Sequence, residues 1–156
     1  MNDDRLLLHK AIKLAEEGIA QGCGPFGAIA AKNGTILAEA VNRVTLDSDP
    51  TAHAEVVAIR KAAKELKSHN LSDCTLYCSC EPCPMCLGAI YWAGISRVVY
   101  ACDRSDAAKA GFSDKDIYDE IILNPEQRSI VFKHITDSGG EAVFRKWENY
   151  ESKIPY

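Results

Sequence analysis

Apolar residues at the start of the chain follow a helical rhythm. Leu7, Leu8, Ala11, Ile12, Ala15 and Ile19 recur at intervals of three and four, with Asp3 or Asp4 placed to cap the start and Gly22 to end the helix. The rhythm then changes. After Gly24-Pro25, residues 26–31 read as a short strand, and Asn33-Gly34 between two apolar runs is a strong hairpin signal, so residues 35–41 should return antiparallel. Asn42 then stands at or just past a strand end, where functional side chains often lie. Asp49-Pro50 reads as a cap followed by proline at the first helical position, and Val56, Ile59, Ala63 and Leu66 continue at helical spacing.

The same switch is then repeated. Residues 75–80 form a third predicted strand, Glu81-Pro82 ends it, and a helix follows through Ala93. Residues 96–102 are mostly apolar, as a fourth strand covered on both faces would be. Ala107, Ala108 and Ala110 suggest a short helix broken by Gly111, residues 116–123 another, and residues 130–135 a fifth strand. Val143, Phe144, Trp147 and Tyr150 share one face of a closing helix. Strands alternating with helices after an opening hairpin imply an α/β fold, a three-layer α/β/α sandwich on a mixed five-stranded sheet. Ligands in that class bind where strands end and helices begin.

Composition narrows the setting. With 156 residues, one domain over 1–156 is the expectation, large enough for an apolar core of its own. No apolar run approaches a bilayer-spanning length, and the acidic start lacks the basic, then apolar, order of a secretory signal, so a cytoplasmic location with no membrane partner follows. The net charge of −4 argues against a nucleic-acid partner, because phosphate contacts call for a basic face. The 7 cysteines do not space out like a disulfide framework; Cys23, Cys74, Cys78 and Cys102 read as small buried residues.

The chemistry gathers at two helix starts. His53 and Glu55 fall in one first turn, Cys83 and Cys86 in another. Zinc takes imidazole and thiolate ligands, and catalytic sites use three protein ligands with the fourth position left to water. Cysteines three apart at a helix start project their sulfurs to one side, where the helix dipole favours the thiolate. His53, Cys83 and Cys86 supply three ligands, and Glu55 is then placed to carry protons. His-x-Glu followed by Pro-Cys-x-x-Cys is the signature of the zinc nucleobase deaminases, in which a zinc-activated water attacks an amidine-like carbon and ammonia leaves.

Each piece also has a plainer reading. Cys83-Pro84-Met85-Cys86 after a strand could be a thiol–disulfide redox pair, or part of a non-catalytic, four-ligand zinc module that recruits Cys78 or Cys80. A redox pair has no use for His-x-Glu at a second helix start, which favours the open catalytic site. Cys80 stays in view, because its separation from Cys83 repeats the ligand spacing.

Several blocks carry a family resemblance. They are Gly24-Pro25-Phe26-Gly27-Ala28, Asn42, Asp49-Pro50-Thr51-Ala52-His53-Ala54-Glu55, residues 79–93, Asp106-Ala107-Ala108 and Gly111-Phe112-Ser113-Asp114, with Tyr156 at the end. On these the chain resembles the cytidine-deaminase-like zinc deaminases, and within them the small bacterial guanine deaminases. The resemblance implies one zinc ion per subunit on His53, Cys83 and Cys86, with Glu55 as the main proton shuttle. It further implies Asn42 on the purine edge, Phe26 and Trp92 flanking the ring, Asp114 near the departing amino group and Tyr156 closing the pocket. It implies a purine base as substrate and a homodimer with an exchanged C-terminal segment, so that Asp114 and Tyr156 could come from the partner chain. The nearest rival is a transfer-RNA adenosine deaminase, which calls for a basic C-terminal helix. Here Arg145, Lys146 and Lys153 are balanced by Glu141, Glu148 and Glu151.

Overall fold

The computed structural model describes residues 3–156, with side chains from Asp4 onward; Met1 and Asn2, part of the acidic start, lie outside the described residues. The chain divides into two compact units, one ending at Asp114 and the other spanning Lys115–Tyr156.

The first unit opens with helix α1 (Asp3–Ala20) and the hairpin β1 (Gly27–Lys32) and β2 (Thr35–Val41). Lys32 pairs with Thr35, so the loop is Asn33-Gly34 alone, with φ of 50° and 79°. Both residues are left-handed, the condition for the tight hairpin turn that matches strand twist, and Asn-Gly meets it at little steric cost. A short helix α2 (Val44–Asp47) follows, then α3 (Ala54–Leu66), β3 (Cys74–Cys80), α4 (Pro84–Trp92), β4 (Arg97–Cys102) and α5 (Arg104–Lys109).

The strands order as β2-β1-β3-β4, antiparallel except for the parallel pair β3 and β4. Alternation along β1 separates the two faces. Ile29 and Ala31 join Leu7 and Ala11 of α1 and Tyr77 of β3, whereas Ala28 and Ala30 face Ala54, Ala58 and Ala62 of α3. The sandwich therefore has three layers as expected, with alanines on both sides of the α3 interface letting helix and sheet approach closely. Gly27 serves the opposite face. A Cβ there would lie 2.2 Å from the Ala11 carbonyl oxygen, so β1 and α1 touch backbone to backbone.

Four expectations are corrected. The described sheet has four strands, not five: residues 130–135 form no ladder, and a strand exists only through the neighbour it bonds to. β4 is an edge strand whose Tyr100, Ala101 and Cys102 are exposed, so its apolar run does not mark burial on both faces. Asp49 does not cap α3. Its carboxylate accepts from the Thr51 N–H and hydroxyl in a turn of its own, and the helix begins at Ala54 with His53 as its first, half-helical residue. Asp4 lies inside α1, and its carboxylate receives the Arg97 guanidinium at 2.9 and 2.7 Å and the Tyr77 hydroxyl at 2.9 Å instead of capping the helix.

The second unit holds α6 (Lys115–Ile121), a 3-10 turn (Pro125–Gln127) and α7 (Glu141–Glu148). Arg128 stacks its guanidinium 5.0 Å from the Phe132 ring centre and donates to the Leu123 carbonyl. Phe132, Val143 and Phe144 are exposed in the single chain.

Candidate active site

Both motifs sit where the sequence pattern puts them, at the first residues of two helices. His53 precedes α3 and Cys83 precedes α4, each extended, with ψ of 152° and 169°. That backbone turns the side chain off the helix axis, and neither makes a side-chain cap bond, so imidazole and thiol remain available. Pro84 takes the first helical position of α4, where its missing N–H costs nothing.

The two helix starts converge. His53 Nδ1 lies 3.5 Å from Cys83 Sγ and 3.5 Å from Cys86 Sγ, and the donor atoms of the three residues all fall within 4.8 Å of one another. A tetrahedral zinc with sulfur at about 2.3 Å and nitrogen at about 2.05 Å would separate those atoms by about 3.6 Å. The observed spacing fits that ion. Cys78 and Cys80 do not belong to the group: Cys78 is in the core beneath α3, and the Cys80 thiol donates to the Asp103 carbonyl at 3.5 Å. Burial pushes the Cys80 thiol up to about 11, which suits a neutral donor and not a ligand. Among the described residues three donors converge with no fourth, which leaves an open position.

Electrostatics separate the two clustered thiols. Their mutual hydrogen bond, reinforced by His53, holds Cys83 down to about 4 and pushes Cys86 up. The hydrogen bond to Cys83 raises the His53 imidazole above its ordinary value against partial burial. A dication would replace the shared protons.

Glu55 stands beside this cluster in the first turn of α3, only 7% exposed. Burial raises its carboxyl above the usual range, and it interacts with the Cys86 thiol. A buried carboxyl without a cation partner is expensive to keep.

The remaining expected residues are distributed unevenly. Asn42 directly follows β2 and is 7% exposed, its Oδ1 accepting from the Val44 N–H at 3.2 Å. The Arg43 N–H donates to the Ala52 carbonyl at 2.8 Å, tying this loop to the segment that carries His53. Phe26 is half-buried and meets the edge of Phe112, with ring centres 5.0 Å apart at 86°. Trp92, the last residue of α4, is 72% exposed. Asp114 is half-buried at the end of the first unit and does not join the convergent donor atoms. Tyr156 belongs to the second unit and is 82% exposed.

Two contributors escape sequence reasoning. Phe112 backs Phe26, and nothing in its own neighbourhood announces a partner so distant in the chain. Glu81 accepts from the Arg104 N–H at 3.1 Å and its own N–H donates to the Cys102 carbonyl at 2.8 Å, binding the start of the cysteine segment to α5. Its place directly before Pro82-Cys83 was the available signal.

A family model for the cytidine and deoxycytidylate deaminase zinc-binding region matches residues 1–102. A guanine deaminase from Bacillus subtilis is 53% identical over 150 residues, covering 96% of each chain. The X-ray structure of guanine deaminase from Bacillus subtilis superposes with a TM-score of 0.95 at 52% identity, covering 97% of this chain and 98% of that one. A tRNA-specific adenosine deaminase from Buchnera aphidicola is 41% identical over 108 residues, 69% of this chain and 67% of its own. With half-helical His53 and Cys83 converging on one metal-sized gap, the chain belongs to the zinc-binding cytidine and deoxycytidylate deaminase family.

Proposed function

We propose that this protein hydrolyses guanine to xanthine and ammonia, with zinc held by His53, Cys83 and Cys86 and with Glu55 as the proton carrier. The observation that carries the proposal is the three-donor cluster with a buried carboxyl beside it. The zinc ion, when bound, supplies Lewis acidity that makes a water molecule nucleophilic at neutral pH. Glu55 takes one proton from the attacking water and delivers it to the ring nitrogen, then takes the second from the hydroxyl newly added to the ring carbon and delivers it to the departing amine, which leaves as ammonia. Burial suits Glu55 to this work by raising its proton affinity toward the working pH.

Selection of the base falls to the surrounding residues. Asn42 commits Oδ1 to the Val44 N–H and offers Nδ2 to the purine edge. Phe26, backed by Phe112, forms one wall and Trp92 the other. Asp114 receives the departing amino group and Tyr156 closes the pocket.

Guanine is favoured over an RNA-borne adenosine by the extent of similarity, because the guanine deaminase match runs through the C-terminal segment as well. The charges of α7 agree, Glu141 and Glu148 offsetting Arg145 and Lys146.

Two copies, we further infer, form a homodimer that exchanges Lys115–Tyr156, making that segment part of one deaminase domain. The exposed apolar side chains of α7 and the open edge of β4 support this. Among the described residues no helix is long and apolar enough to cross a membrane, and all seven cysteines are free thiols, which supports a cytoplasmic location.

Ammonia release from guanine, cytosine, adenine, guanosine and an adenosine-bearing RNA tests the substrate. Guanine should be turned over. Release from the RNA alone would replace guanine with transfer-RNA adenosine as the substrate. A protein purified without zinc, with a disulfide between Cys83 and Cys86, would refute deamination altogether.

A further inference from the structure

Gly24 has no conformational need to be glycine. Its φ is not among the positive ones, and it precedes Pro25, a position that favours extended backbone open to alanine. What it lacks is room. A Cβ on Gly24 would lie 3.1 Å from Asn42 Cγ and 3.2 Å from Asn42 Oδ1, inside ordinary van der Waals separation.

The surroundings leave Asn42 little freedom to yield. Its N–H donates to the Phe26 carbonyl at 2.9 Å, and the Phe26 N–H donates to the Gly24 carbonyl at 2.8 Å, so Gly24, Phe26 and Asn42 are locked together. The side chain is buried, and its Oδ1 accepts from the Val44 N–H. Only the oxygen of an amide can accept, so this bond decides the orientation of the group and leaves Nδ2 as the donor for a ligand.

We propose that Gly24 is a specificity-determining positioning residue: by presenting no Cβ, it lets the Asn42 amide keep Oδ1 on Val44 and Nδ2 for a heterocyclic base that offers an acceptor. This rests on the reading that Asn42 contacts the purine. Gly24 itself touches no substrate. An alanine there must push the amide by a few tenths of an ångström, which strains the 3.2 Å bond and turns the donor away from the base.

The test is a double-mutant cycle on the zinc-loaded enzyme with guanine, using Gly24→Ala, Asn42→Ala and the pair. Gly24→Ala should raise KM roughly tenfold, the effect of about one lost hydrogen bond, with kcat within about twofold. Zinc content should not change, and Gly24→Ser, which carries the same Cβ, should reproduce the KM effect. In the Asn42→Ala background, Gly24→Ala should add nothing. An unchanged KM for Gly24→Ala, or an undiminished effect without the Asn42 amide, would overturn the role of Gly24 alone. An unchanged KM for Asn42→Ala would overturn the reading of Asn42 and this inference with it.

Discussion

Replacing Glu55 with glutamine isolates the proton carrier from the metal site. The substitution keeps size and shape in a position only 7% exposed, so it opens no cavity, and it removes a carboxyl that burial already disfavours as an anion. The fold should lose nothing: the thermal midpoint of Glu55→Gln is expected to equal or exceed the parent at pH 7. His53, Cys83 and Cys86 are untouched, so zinc should remain at one per subunit by metal analysis. Activity should collapse. A positioned acid–base group contributes about 10²–10⁴ in rate, which at about 1.36 kcal/mol per decade is about 2.7–5.4 kcal/mol of barrier. Because glutamine cannot cycle a proton, the loss should fall on kcat, measured by ammonia release at saturating guanine. A variant with zinc bound and kcat within tenfold of the parent would refute Glu55 as the carrier.

Other expectations follow from the same geometry. Cys83→Ser and Cys86→Ser should each lose zinc and activity together, since two remaining donors do not hold the ion against a chelator; zinc retained through dialysis would count against the ligand set. Gly27→Ala should destabilise the protein by about 3 kcal/mol, because its Cβ would sit 2.2 Å from a backbone oxygen that cannot move aside, and urea unfolding would read it. The Arg97 and Tyr77 hydrogen bonds depress the Asp4 carboxyl to about 2, below its unfolded value of about 3.9. That contribution is present above pH about 4 and is lost as pH falls toward 2, so the urea-midpoint gap between parent and Arg97→Gln should shrink from pH 5 to pH 3. An equal gap at both would refute the ion pair. Finally, Glu55→Gln and Tyr156→Ala subunits, unfolded and refolded as an equal mixture, should regain activity if the tail is exchanged. Half the dimers are then mixed and one site in each is intact, about a quarter of all sites. No recovery would place Tyr156 in its own subunit.

Much of the site was legible in sequence because its parts are local. Asn33-Gly34 closes its hairpin through its own backbone preferences, and Cys83-Pro84-Met85-Cys86 starts a helix through proline's fixed φ and the three-residue spacing of its sulfurs. His53-Ala54-Glu55 likewise opens a helix by itself, although that helix starts at Ala54 and not after Asp49. Asp49 found a nearer partner in Thr51, and local side-chain bonds of that kind compete with capping.

Only the tertiary structure decided the rest. Whether β4 lies inside the sheet or at its edge depends on which strands bond to which, and an apolar run reads the same in both places. Whether Asp4 caps α1 or binds Arg97 depends on a residue brought near by the sheet. Two local motifs give a list of three candidate ligands. The 3.5 Å that makes them a site, and the missing Cβ that positions Asn42, are properties of distant segments in contact, where burial and sterics act and sequence spacing does not.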